Sequence, residues 1–160
     1  MKKGHEKLEE ELKFMRRKAP LASMGGSAGP IDNIYHWKAL FVGPIGSLYE
    51  GGLYYLEMVF TENYPNEKPK VRMRTKIYHP NINLTTGRIC VDYLNNWTKD
   101  NNIVGIVNAA YILMSLTEEP SQGWNGYNSF DAEKARNYKQ YAGLSQSYDW
   151  SDISWKDSIS

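Results

Sequence analysis

Cysteine occurs once in these 160 residues, at Cys90. That scarcity excludes an intramolecular disulfide and a cysteine-rich zinc site. Histidine is nearly as scarce, with only His5, His36 and His79 to supply an imidazole. Long apolar runs are missing too. The most hydrophobic stretch, Ile103 to Leu116, is broken by Gly105 and Asn108 and falls short of the about 20 residues that a membrane-spanning helix needs. No apolar segment follows the charged start Lys2-Lys3-Gly4-His5-Glu6, so no secretory signal is expected. The expected setting is therefore the reducing cytoplasm or nucleus, with no membrane partner. An excess of one charge is also lacking: 19 basic against 18 acidic residues leave +1. A general attraction for phosphate is thereby removed, and no nucleic-acid partner is expected.

What is present suits one domain spanning 1–160, because 41% hydrophobic beside 23% charged residues supports a core rather than disorder. Leu8, Leu12 and Met15 form one apolar stripe at helical spacing, and Arg16-Arg17-Lys18 suits the end of a helix that Pro20 stops. The small-residue stretch 22–30 reads as a loop. Strand alternation follows, with Trp37, Ala39 and Phe41 on one face, then Tyr54, Leu56, Met58 and Phe60. Val71 and Met73 then alternate with Arg72 and Arg74. Short turns separate these runs, which predicts an antiparallel meander of three or four strands. Ile34 to Trp37 reads either as a strand of its own or as part of the first.

Residues 79–101 carry no sustained periodicity, and structureless stretches of that length in compact domains are usually functional. The run from Ile103 predicts a central helix buried on most sides. Asp131 reads as the N-cap of a later helix through Tyr141, and the tail 143–160 as a docked helix or a frayed end. The fold class is α+β: an N-terminal helix, the meander, a long active-site loop, a buried central helix and C-terminal helical segments.

Cys90 sits in that loop, with Arg88 two residues before it and Asp92 two after. A thiol attacks as its thiolate, which a nearby cation favours and a nearby carboxylate opposes, so these neighbours pull in opposite directions. A thiol hydrolase would need a histidine base, and no protease-like signature surrounds Cys90.

The string Tyr78-His79-Pro80-Asn81-Ile82, then Gly87-Arg88-Ile89-Cys90-Val91-Asp92, then Trp97, resembles the active-site segment of ubiquitin-conjugating enzymes. Trp37 with Gly43-Pro44, Tyr49-Glu50-Gly51-Gly52, Tyr64-Pro65 with Pro69, and Glu119-Pro120 follow the family's order, so the resemblance covers about residues 5–142. It implies that an activating enzyme delivers ubiquitin to Cys90 as a thioester, which a substrate lysine then attacks, usually with a RING- or HECT-type ligase. ATP is consumed by the activating enzyme, so no cofactor or metal is expected on this chain. The resemblance assigns Asn81 either to the oxyanion of the attack or to support of the active-site loop. His79, Pro80 and Trp97 are expected to shape that loop. Partner contacts are expected at Lys3, Lys7, Pro65, Asn66, Lys99 and Asp100.

The chain also departs from the family pattern. Asn81 and Cys90 are nine apart, one more than in many members, and the gap from Cys90 to Trp97 is one shorter. Where members place an acid or serine beside the incoming lysine, this chain offers Ser121, Asn125, Asn128 and Asp131. Asn66, Glu67, Lys99 and Asp100 put polar groups at loop tips that are often apolar in the family. The alternatives are conjugation of another modifier such as SUMO, or a non-catalytic ubiquitin-binding scaffold.

Overall fold

The computed structural model describes residues 3–77, 79, 81–83 and 85–115, with 146–147 as backbone. The helical segments expected after Pro120, and most of the 143–160 tail, lie outside the described residues. Helix α1, Gly4–Lys18, buries Leu8 and Met15 and ends where Ala19 turns into the left-handed region. Its first turn is fastened to the body by Gly4 N–H donating to Glu62 O at 2.9 Å.

The stretch expected as a loop is only partly one. It holds a short 3-10 turn at Ala22–Met24 and then strand β1, Ser27–Pro30. Small residues hide this strand from a reading of hydrophobic alternation, and Pro30 is tolerated because β1 lies at the edge of the sheet. Strands β2 (His36–Val42), β3 (Leu53–Val59) and β4 (Lys70–Met73) complete an antiparallel sheet in the order β1-β2-β3-β4. The fourth strand is thus Ser27–Pro30, and Ile34 and Tyr35 lie before β2.

Register explains the core. Trp37 faces Met58, Ala39 faces Leu56 and Phe41 faces Tyr54, while Met58 and Leu56 face Val71 and Met73 of β4. All of these side chains are buried. Between β2 and β3, Gly43 N–H donates to Gly52 O at 2.8 Å and Gly51 has φ +83°, a conformation that suits glycine.

The opposite sheet face holds a finding the alternation did not suggest. Arg72 and Arg74, read as the polar positions of β4, are only 1% exposed. Glu57 of β3 is buried beside them, accepting from Arg72 Nε at 2.7 Å and contacting His36 Nε2 at 2.7 Å.

The segment after β4 is likewise more ordered than its lack of periodicity implied. Strand β5, Thr75–Lys76, pairs antiparallel with β6, Gln146–Ser147. Isolated bridges join His79 to Ile82, Ile82 to Ile89 and Arg72 to Arg88, and helix α2 spans Asp92–Asn95. Helix α3, Ile103–Leu113, begins at Asn102, whose side chain accepts from Gly105 N–H. Ile103, Ile106, Val107 and Ala110 are buried, whereas Ile112 is 60% exposed, so α3 is buried along one face rather than on most sides.

Candidate active site

Cys90 is half-buried, at the end of a narrow hairpin-like loop. Two bonds between Asn81 and Cys90 fix its backbone. Cys90 N–H donates to Asn81 O at 2.8 Å, and Asn81 Nδ2 donates to Cys90 O at 3.0 Å. Beside this pair the buried Ile82 and Ile89 bridge the two arms.

The far end of this loop has hydrogen bonds of its own. Asn83 N–H donates to Arg88 O at 2.9 Å and Gly87 N–H to Asn83 O at 2.8 Å, while Asn83 Oδ1 accepts from the backbone of Thr85 and Thr86. The turn therefore closes on itself, and Asn81 and Cys90 keep their pairing. Gly87, at φ +79°, lies so close to β4 that a Cβ there would sit 2.1 Å from Met73 O. Only glycine fits, and Gly87 O accepts from Met73 N–H at 2.6 Å, tying the loop to the sheet.

His79 is buried, and neither ring nitrogen faces the thiol. Nε2 lies 2.7 Å from Leu113 O, and Nδ1 accepts from Asn81 N–H at 2.9 Å. Those two bonds specify the neutral ring with its proton on Nε2. Burial holds its pKa down to about 4, against a smaller opposing effect of the Leu113 carbonyl. The other imidazoles are elsewhere, His5 beside Glu9 on α1 and His36 between Asp32 and Glu57. No histidine is therefore bonded to Cys90, and a Cys–His hydrolase lacks its base.

The described side chain that reaches the sulfur is Asn95, on the last residue of α2. Its Nδ2 lies 3.6 Å from Cys90 Sγ. The sequence reading missed it: position 95, five residues on, returns to the thiol only because the single turn of α2, starting at Asp92, folds it back. Pro80 and the gate candidates Ser121, Asn125, Asn128 and Asp131 lie outside the described residues.

Several of the expected partner residues lie near one another. Trp97 Nε1 donates to Pro65 O at 2.7 Å, joining the loop of Lys99 and Asp100 to that of Pro65 and Asn66. Asn66, Glu67, Lys99 and Asp100 are exposed. A groove of about 690 Å³, lined by Lys3, His5, Tyr35, Asn63 and Asn66 among others, separates the start of α1 from the Tyr64 loop. Lys7 is half-buried on α1. Behind this surface lies Glu11, also unforeseen. Its carboxylate accepts from Ile103 N–H at 2.8 Å and from the Tyr64 hydroxyl. Burial raises its pKa, although both hydrogen bonds oppose that shift. The Tyr64 hydroxyl is raised as well, by burial and then by the charge of Glu11. Among the described residues no cluster suits a metal ion, and no helix is long and apolar enough to cross a membrane.

A sheet flanked by α1 and α3, with a half-buried thiol on a loop braced by an asparagine, defines an α+β protein with its single cysteine within reach of solvent. The ubiquitin-conjugating enzyme profile matches residues 7–147. Among solved structures, the chain is similar to the E2 domain of a Toxoplasma gondii ubiquitin conjugating enzyme. The two share 28% identity at a TM-score of 0.68, over 84% of this chain and 94% of that one. The chain belongs to the ubiquitin-conjugating enzyme family, whose partners in general are ubiquitin, an activating enzyme and a ligase.

Proposed function

We propose that this chain carries ubiquitin as a thioester on Cys90 and passes it to a lysine of a protein substrate. The observation that carries this reading is the placement of the single thiol. Cys90 is half-buried rather than sealed in the core, on backbone held by the paired Asn81 bonds and with no histidine attached. In charging, the Cys90 thiolate attacks the modifier's C-terminal carbonyl, and the bond to the activating enzyme's sulfur breaks. In transfer, the lysine nitrogen attacks the same carbon and the C–N bond forms. The C–S bond then breaks with its electron pair going to Sγ, and the surplus amine proton passes to water.

In the uncharged enzyme Asn81 acts on the loop, because its amide is engaged by the Cys90 carbonyl. The same nitrogen carries a second N–H, which remains to meet an oxyanion. Ligases of RING or HECT type would dock on the surface formed by Lys3, Lys7, Pro65, Asn66, Lys99 and Asp100. Its exposed polar tips favour a partner of complementary charge over one that buries an apolar anchor.

The deciding experiment combines the chain with activating enzyme, ATP and ubiquitin. Wild type forms an adduct that a thiol reductant removes, and Cys90→Ser forms one that resists it. A reductant-sensitive adduct on Cys90→Ala would overturn the assignment. Running SUMO and its own activating enzyme in parallel identifies the modifier.

A further inference from the structure

We infer that Asn95 is a catalytic residue, donating a hydrogen bond to the Cys90 sulfur and acting mainly on the step in which that sulfur leaves. The inference rests on Cys90 being the thioester residue proposed above. The two asparagines of the site have different targets. Asn81 Nδ2 holds a backbone carbonyl, whereas Asn95 Nδ2 is directed at Sγ, 3.6 Å away.

The donor is held in place by its helix turn. Asn95 N–H and Leu94 N–H both donate to Val91 O, at 2.9 and 3.1 Å, which folds position 95 back toward the thiol. Leu94 is buried, Lys68 Nζ donates to Leu94 O at 3.3 Å, and Asn101 Nδ2 donates to Tyr93 O at 3.1 Å. The turn is thus pinned on three sides before any substrate arrives, the condition under which a dipole contributes most to a developing charge. Asn95 itself is exposed, so its side chain supports no core packing.

A neutral thiol is a weak acceptor and a thiolate a much better one, so an N–H aimed at sulfur favours the anion. The sulfur is anionic twice in the cycle. As nucleophile during charging, it gains in thiolate fraction but loses in intrinsic nucleophilicity, and the two effects oppose each other. As leaving group during transfer, it receives the electron pair of the breaking C–S bond, and the donor meets that charge with nothing to offset it. Charging is therefore little affected, and discharge is the sensitive step.

Asn95→Leu and the near-isosteric Asn95→Asp test this in two arms. In the first, each variant is loaded and discharged to free lysine in a single turnover. Both charge within about threefold of wild type and discharge about tenfold more slowly, as expected for losing one hydrogen bond to a developing charge. Asn95→Asp is the slower, because its carboxylate faces the departing thiolate. The second arm needs neither modifier nor activating enzyme: Cys90 is alkylated with iodoacetamide at pH 7 and pH 10. The variants stay within about threefold of wild type at both, because here the sulfur attacks rather than leaves and the two effects oppose each other. Wild-type discharge rates in both variants would overturn the inference. So would a much larger alkylation gap, since that marks a displaced loop rather than a lost donor. Should wild type load no modifier at all, the thioester reading fails and this inference with it, whereas normal loading with unchanged discharge in the variants overturns the inference alone.

Discussion

His79 shows how a residue beside the chemistry serves by staying neutral. Its ring links the end of α3 to the Asn81 backbone, and through Asn81 to Cys90. In the unfolded chain the imidazole takes up a proton near its ordinary 6.5, but in the fold only near about 4. Between those values the unfolded state binds the extra proton, so stability falls as pH drops through this window and the loss is complete below it. The full effect is about 3 kcal/mol. In His79→Gln this contribution is absent. Denaturant unfolding from pH 7 to pH 4 should therefore cost wild type more than the variant, and parallel curves would refute the claim. Cys90 and its partner Asn81 were legible because both stand in a recognisable string. Asn95 and Glu11 were not, since nothing in one dimension says that a short helix returns to the thiol or that a glutamate on a charged helix turns inward.

At the scale of elements, Glu11 is where three pieces meet: α1, the Tyr64 loop and the first amide of α3. Removing its carboxylate strands two buried donors. Glu11→Ala should cost about 2–4 kcal/mol in denaturant unfolding, summed over the two lost acceptors. Glu11→Gln keeps an acceptor for Ile103 and should cost far less. The folded-state pKa of Glu11 is raised above 4.5, so the unfolded chain gives up the proton first. Wild type therefore loses stability relative to Glu11→Gln as pH climbs from 4.5 through the raised value, the opposite slope to His79. A difference between the two proteins that does not vary with pH would contradict this account. The strands were legible wherever large apolar residues alternate, as in β2 and β3. β1 escaped because Ser27, Ala28 and Gly29 carry no such signal, and the burial of Arg72 and Arg74 depends on Glu57, which comes from a different strand.

At the scale of the whole molecule, the meander and the β5–β6 pair differ in when they can exist. Each of β1 to β4 pairs with the next strand in sequence, so the entire sheet is specified by residues 27–73. β5 waits for residues 146–147, near the far end of the chain. Local pairings close quickly and distant ones slowly, and a chain made on the ribosome emerges N-terminus first. The sheet is therefore complete while the edge of β5 still stands open, and an open edge invites pairing with another chain. In refolding followed by pulsed hydrogen exchange and mass spectrometry, peptides from β2 and β3 should gain protection before the one containing Thr75 and Lys76. Simultaneous protection would show that the two ends close as one event. If the order holds, a nascent chain passes through an interval in which its sheet is built, its thiol loop has emerged and one edge still waits for its partner. Interrupted synthesis would leave it in that state, with the β5 edge open to another chain.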